Sequence, residues 1–286
     1  MIIADLLGGL GNQLFQYAAG IHLSRLHQVP FKINTFNFET YKLHKYSLEY
    51  FNISAEIATH EEVRLYSKFS TKIFETITRK PYYQRKVFKE RIFQYDENFK
   101  RASNNIMLVG YWQSEKYFCE IESIIRTEFI VKSLVDGLNE RLANEIKREN
   151  SISLHIRRGD YASDLKTNKI HGVCDIQYYN NCIDKIVNLV KNPVFYIFSD
   201  DPSWVKSNFK LNYPSVYIDH NDAEKNYEDL RLMSYCKHNI IANSSFSWWG
   251  AWLNSSPDKH VLAPKQWFND WSKNSKDIIP DKWERV

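Results

Sequence analysis

The chain has 286 residues, 43% hydrophobic and 25% charged, which is long enough for a substantial core and excludes disordered, collagen-like and low-complexity classes. No window approaches the roughly 18 consecutive apolar residues that span a bilayer, and a net charge of +4 is too weak to argue for nucleic acid. The aromatic share is high, at 15%, and suits either a bulky core or a surface that stacks on flat ligands.

The start, Met1 to Leu7, lacks a basic leader and a small-residue cleavage site. It is expected to be a first buried strand of a cytoplasmic chain. A Gly turn follows, then a helix over about 12–28, with Phe15, Ala18, Ala19, Leu23 and Leu26 on one face. Pro30 ends it, and Phe31 to Asn34 reads as a second strand. Residues 63–101 carry 11 Lys and Arg against four acids, a local excess of +7. That stretch fits a solvated face, or peripheral contact with an anionic inner-membrane surface. Residues 106–109 read as a strand, and helical patterns run over about 114–127 and 134–149.

From residue 151 strands and helices alternate: strands at 151–156, 194–198, 215–218, 239–242 and 260–263, helices at 176–190, 202–208, 226–236 and 245–254. Alternation of this kind predicts an α/β fold with parallel sheets, divided into domains 1–150 and 151–286. Cys119, Cys174, Cys182 and Cys236 show no metal-ligand spacing and read as small core hydrophobes of a reduced compartment.

Open parallel sheets bind ligands beyond the carboxyl ends of their strands, so the residues there carry the functional argument. The first strand leads into Gly8-Gly9-Leu10-Gly11-Asn12-Gln13. It lacks the third glycine of a dinucleotide motif and the Gly-Lys of a Walker loop. It fits a close backbone approach to a phosphate or sugar, or simply a tight turn capped by Asn12. Strand 151–156 leads into Arg157-Arg158-Gly159-Asp160-Tyr161. Guanidinium forks suit a diphosphate. Adjacent side chains on extended backbone point opposite ways, so one arginine should face the ligand and the other anchor the loop. His155 shares the face of Arg157. Strand 194–198 ends in Ser199-Asp200-Asp201-Pro202. Those acids could accept from a base or ribose, bind a divalent metal, or, through Asp201, cap a helix begun by Pro202. Strand 239–242 ends in Asn243-Ser244-Ser245-Phe246, a hydroxyl-rich helix entry, followed by Trp248, Trp249 and Trp252, which read as core.

Four strings together resemble the α-1,2-fucosyltransferases of glycosyltransferase family 11: Gly8 to Tyr17, His155 to Tyr161, Ser199 to Asp201, and Asn243 to Trp249. The resemblance implies a GT-B-like pair of Rossmann-type domains with a central cleft. It implies transfer with inversion from GDP-fucose to the 2-hydroxyl of a galactoside, on a galactose-terminated oligosaccharide or lipid-linked glycan, with no cofactor and no required metal. Residues 1–150 would then be the acceptor side and 151–286 the GDP-fucose side. By the same resemblance Arg157 would hold the β-phosphate, His155 and Asp201 the guanine edge, and Ser244, Ser245 and Phe246 the diphosphate. Gly9, Gly11, Asn12 and Gln13 would lie near the fucose, and Arg158 would support the donor loop.

Leaving-group charge would be met by Arg157 and the amides at Ser244 to Phe246. A base for the acceptor hydroxyl would come from the loop carrying Asp160, Asp164 and His171, among which spacing does not choose. Rival readings are a metal-dependent transferase using Asp200 and Asp201, a non-catalytic carbohydrate- or nucleotide-binding protein, and a membrane-surface protein built on residues 63–101. Tyr82, Tyr83, Phe93, Tyr95, Tyr111 and Trp112 are expected to form a sugar-stacking patch beside the donor site.

Overall fold

The computed structural model describes residues 1–67, 75–159, 162, 164–270 and 273–286. The first compact unit comprises Met1–Lys132 with Lys276–Ile278. Its elements are β1 (Ile2–Asp5), α1 (Leu10–His27), β2 (Phe31–Asn34), β3 (Glu56–Ile57), α2 (His60–Ser67), β4 (Val87–Lys89), β5 (Ile106–Val109) and α3 (Glu122–Glu128). The strands form one parallel sheet in the order β3-β2-β1-β5-β4. Helix α1 is buried on nearly every side as far as Ser24, including the polar Gln13, Gln16 and His22. The expected single apolar face is therefore too narrow, and Leu26 is exposed.

The second unit comprises Ser133–Ser275 with Ile279–Val286. It runs α4 (Gly137–Arg148), β6 (Asn150–Ile156), α5 (Leu165–His171), α6 (Ile176–Leu189), β7 (Pro193–Ser199), α7 (Pro202–Asn208), β8 (Ser215–Ile218), α8 (Asn226–Tyr235), β9 (His238–Ile240), α9 (Ser245–Leu253), β10 (Val261–Ala263) and β11 (Glu284–Arg285). Its strands are all parallel, in the order β11-β10-β9-β6-β7-β8. Pleat alternation divides the core. Ile152, Leu154, Ile156, Phe195 and Ile197 face α6 and α7, while Tyr196, Phe198 and Ile218 face α4 and α8. Both faces are covered, as an all-parallel sheet requires.

Several expectations change. The boundary falls after Lys132 rather than at 150, because Leu142, Ala143 and Ile146 of α4 pack into the second unit's core. The helix expected over 114–127 is two 3₁₀ turns, Glu115–Tyr117 and Cys119–Ile121, before α3. The chain also returns to the first unit, where Asp277 accepts from the Tyr95 amide at 3.0 Å and pairs with Lys116 at 2.6 Å.

The expected aromatic patch fails at Trp112, which is 1% exposed and set edge-on to Phe88 and Tyr117 with ring centroids 5.0 and 5.3 Å apart. Trp248, Trp249 and Trp252 are core, as expected. The thiol reading holds for Cys182 and Cys236, whereas Cys119 is exposed. In the basic stretch, Arg91 lies 3.9 Å over Tyr82, Arg101 5.4 Å over Tyr83 and Lys86 5.4 Å over Tyr66. These cations are engaged by the unit's own rings, and Lys68 and Lys72 lie outside the described residues. No described helix is long and apolar enough to cross a membrane.

Burial of polar groups gives a direct test of the second core. Asn254 Nδ2 donates to Asn239 Oδ1 at 2.7 Å, and Asn239 Nδ2 donates to the Met233 carbonyl at 3.1 Å, with both side chains 1% exposed. Asn254→Ala strands a buried amide oxygen and should lower stability by about 1–3 kcal/mol in urea denaturation. An unchanged midpoint would show that this link carries no stability.

Candidate active site

In the second sheet β7 and β8 lie to one side of β6 and β9 to the other, so the strand order reverses between β6 and β9. A ligand crevice belongs at the carboxyl ends of those two strands. The residues there are His155 to Gly159, after and within β6, and Asn243 to Phe246 at the start of α9. His155 and Phe246 meet with ring centroids 5.8 Å apart. His155 Nδ1 is buried with no hydrogen-bond partner among the described residues. Burial, reinforced by Arg157, lowers its pKa to about 3, so the ring is neutral at pH 7. A neutral imidazole here can donate or accept one hydrogen bond to a ligand.

The arginines are placed by strand register. Ile156 lies opposite Ser199, so the residues just beyond fall beside one another. Arg157 Nη1 pairs with Asp200 Oδ2 at 2.7 Å, and Asp200 Oδ1 accepts from the Arg158 amide at 2.8 Å. Arg158 points to the other face. Its guanidinium lies 3.5 Å over the Trp204 ring, with Nε 3.5 Å from Asp201 Oδ2. The divergence expected from strand alternation is observed. Gly159 is required by this packing, since a Cβ there would sit 2.2 Å from Asp200 Oδ2.

Asp201 caps α7, accepting from the Trp204 amide at 3.2 Å with Pro202 in the first turn. Three of the four carboxylate oxygens of Asp200 and Asp201 are thus engaged by protein donors, and the fourth, Asp201 Oδ2, lies 3.5 Å from Arg158 Nε. A divalent cation at these carboxylates would have to displace an arginine or a helix cap. Among the described residues no group of three His, Cys, Asp or Glu side chains could hold one. On the Arg158 face lies a cavity of about 440 Å³, lined by Ile156, Cys174, Tyr179, Trp204 and Phe209 among others.

At α9, Ser244 is the N-cap and accepts from the Phe246 amide at 3.3 Å, while Ser245 and Phe246 are part-exposed. Asn243 ties the neighbouring loops together, donating to the carbonyls of His171 at 2.9 Å and Trp267 at 3.2 Å. Of the candidate bases, Asp160 lies outside the described residues. Asp164 is exposed at the start of α5 and accepts from Thr167 Oγ1 at 3.0 Å. His171 packs beside Phe268, ring centroids 5.4 Å apart.

The first sheet has its own reversal, between β1 and β5, and the Gly-rich turn follows β1. Gly9 is the N-cap of α1, with no side-chain cap. Asn12 does not cap the helix as expected. Its Oδ1 accepts from Gln113 Nε2 at 2.8 Å. Gln13 is fully buried and consumed internally, donating to the Gly8 and Lys45 carbonyls and accepting from the Ser47 amide, each at 2.9 Å. It holds the turn and is corrected from a ligand contact to a structural strut.

Two acids went unnoticed in the sequence. Burial pushes Asp229 of α8 up to about 7, against the hydrogen bond it accepts from Asn221 at 2.7 Å. Burial likewise pushes Glu90, just after β4, up to about 7. Neither stands in a recognisable motif. Their flanking residues, Lys89 and Arg91 beside Glu90 and Glu228 and Leu230 beside Asp229, carry no local signal of burial.

A family model described as glycosyl transferase family 11 matches residues 3–286. The α-1,2-colitosyltransferase of Escherichia coli is 34% identical over 293 residues, covering 100% of this chain and 99% of that protein. The O-antigen biosynthesis glycosyltransferase WbnK of Escherichia coli is 33% identical over 308 residues, covering 97% and 98%. Among solved structures, POFUT1 in complex with GDP-fucose shares the fold with a TM-score of 0.54 at 14% identity, over 92% of this chain and 97% of that one.

The neutral His155 gives a pH test. Folding holds it unprotonated while the unfolded chain takes up a proton near pH 6.5, so acidification below that value favours unfolding. The stability lost between pH 7 and pH 4.5 should be smaller in His155→Gln than in the wild type, measured by urea denaturation at both values. Equal losses would mean that His155 is not held neutral.

Proposed function

The chain belongs to glycosyltransferase family 11, and on that footing we propose that it moves L-fucose from GDP-β-L-fucose to the 2-hydroxyl of a galactoside, with inversion, to form an α-1,2 linkage. The observation that carries this reading is the pair of oppositely directed arginines at the reversal of the second sheet. One is clamped by Asp200 beside a buried, unpartnered His155 nitrogen. An anionic group with a polar base edge, as in a nucleoside diphosphate, matches those donors. The GDP-fucose bound by POFUT1 supports the choice of donor. An O-antigen unit is the acceptor class suggested by WbnK.

The reaction is a single displacement. The C1–O bond to the diphosphate breaks as the acceptor oxygen bonds to C1, and the electron pair leaves on the β-phosphate. Arg157 is oriented in advance to meet that charge, so it stabilises the transition state more than the ground state. The part-exposed first turn of α9, at Ser245 and Phe246, adds backbone dipole on the same side of the sheet as His155. The acceptor hydroxyl proton goes to a carboxylate or imidazole of the segment after the double arginine, where Asp160, Asp164 and His171 are the candidates. With Asp200 and Asp201 occupied by arginines and a helix cap, charge neutralisation falls to cations of the chain, with no metal required.

A second reading concerns the sugar. The relative that is 34% identical is named a colitosyltransferase, so the same nucleotide carrying a colitosyl group is the alternative donor. Incubation with each donor and a panel of β-galactosides, with the linkage read by NMR, separates the two.

Arg157→Ala should lower the transfer rate by about a hundredfold or more, the scale of one lost charge-assisted contact in the transition state, while the melting temperature stays close to wild type. Transfer at the wild-type rate would overturn the site. EDTA should leave transfer unchanged, whereas a loss restored by Mn²⁺ would establish metal dependence.

A further inference from the structure

Glu90 belongs to no motif and to no step of the transfer reaction, yet it is bound in an unusual way. The Glu90 amide continues the β4–β5 ladder by donating to the Val109 carbonyl at 2.8 Å. Its carboxylate then turns onto the chain after β5, where Oε2 accepts from the Tyr111 amide at 2.7 Å and Oε1 from the Trp112 amide at 3.0 Å. Two consecutive amides converging on one carboxylate form an anion-binding nest. Gly110 makes the approach possible, because a Cβ there would lie 2.3 Å from the Glu90 Cβ.

The turn so held is strained. Trp112 has φ +55°, a left-handed conformation that is unfavourable for a bulky residue. Two things keep it there, the buried indole and the Glu90 carboxylate.

Hydrogen bonds connect this turn to the Gly-rich segment. Gln113 Nε2 donates to Asn12 Oδ1 at 2.8 Å. The Gly110 carbonyl accepts from Gln16 Nε2 at 3.0 Å, and Gln16 Oε1 accepts from the Leu7 amide at 3.0 Å. The chain ends after β1 and β5, the two strands that flank the reversal of the first sheet, are thus one hydrogen-bonded unit, fastened from β4 by Glu90.

We propose that Glu90 is a positioning residue, which sets the Asn12 side chain through the Tyr111–Trp112 turn and Gln113. The proposal rests on the glycosyl-transfer reading only in that the resemblance to family 11 assigns Asn12 to the transferred sugar. The clamp itself is independent of it. The titratable groups facing Glu90 are the phenols of Tyr111 and Tyr117, both raised by burial. Glu90 is raised to about 7 from 4.5, so the closed turn binds a proton more tightly than an opened, hydrated one. Closure is fully favoured below pH 4.5 and weakens as pH rises through about 7.

Hydrogen exchange of the full chain, corrected for intrinsic rates, reads the clamp without any activity. In Glu90→Ala the Tyr111 and Trp112 amides should exchange about tenfold faster or more, the scale of losing a buried hydrogen bond, while β6 and β7 stay protected. Glu90→Gln keeps one acceptor oxygen and turns an NH2 toward the other amide, so it should keep protection at only one of the two amides and lose its decline between pH 5 and pH 8. Gln113→Ala should leave both amides protected and lower kcat for transfer, with GDP affinity unchanged. Wild-type exchange in Glu90→Ala would overturn the clamp. Wild-type kcat in Gln113→Ala would overturn the link to Asn12. Absence of transfer in the wild-type protein, with the exchange pattern intact, would instead overturn the functional reading.

Discussion

The parallel pairing of β6 with β7 is the constraint on which the site depends. Seven residue pairs run from Asn150 opposite Pro193 to Ile156 opposite Ser199. Because side chains alternate, a shift of one residue would send Arg157 to the α6 face and Arg158 to the α8 face, and would separate both from their carboxylates. The register is pinned by apolar packing along the strands, with Ile152, Leu154 and Ile197 on one side and Tyr196 and Phe198 on the other. Core packing therefore fixes where two cations stand.

Two adjacent arginines at the end of a strand repel each other and are costly to desolvate. Asp200 and Asp201 on the neighbouring strand offset that cost, one for each arginine, and the Trp204 ring takes the flat face of Arg158. With one carboxylate for each guanidinium the cluster is close to neutral, and both arginines are held in fixed directions. The same carboxylates that a metal-dependent reading would use are instead the partners of the arginines. The first unit uses neutral groups in a comparable place. Gln13, Gln16 and Gln113 tie its strand ends together through amide hydrogen bonds, so the Gly-rich turn is held without a charged side chain of its own.

Short strands rich in β-branched, aromatic and other bulky apolar residues were legible from composition between turn signals. Phe31–Asn34, Ile106–Val109 and Ser215–Ile218 stand where the pattern put them. The opposed directions of Arg157 and Arg158 were legible too, since alternation is a property of extended backbone alone. Strands of two or three residues, Glu56–Ile57 and Val87–Lys89, were not, because so short a segment has no period and owes its conformation to the neighbouring strand. Trp112 misled for a related reason. An aromatic in irregular chain carries no local mark of which way it turns, and this one is driven inward by a left-handed backbone that only the surrounding packing imposes.

By itself the sequence determined the α/β class, the strand ends where chemistry would lie, and the family, since those derive from local patterns and contiguous motifs. Only the tertiary structure decided which groups are partners. It joined Arg157 to Asp200 across 43 positions of chain and Asn12 to Gln113 across 101. It also consumed Gln13 in the interior and left His155 neutral with an unpartnered nitrogen. Hydrogen bonds, ion pairs and desolvation depend on distances between strands, and no spacing along the chain encodes those distances.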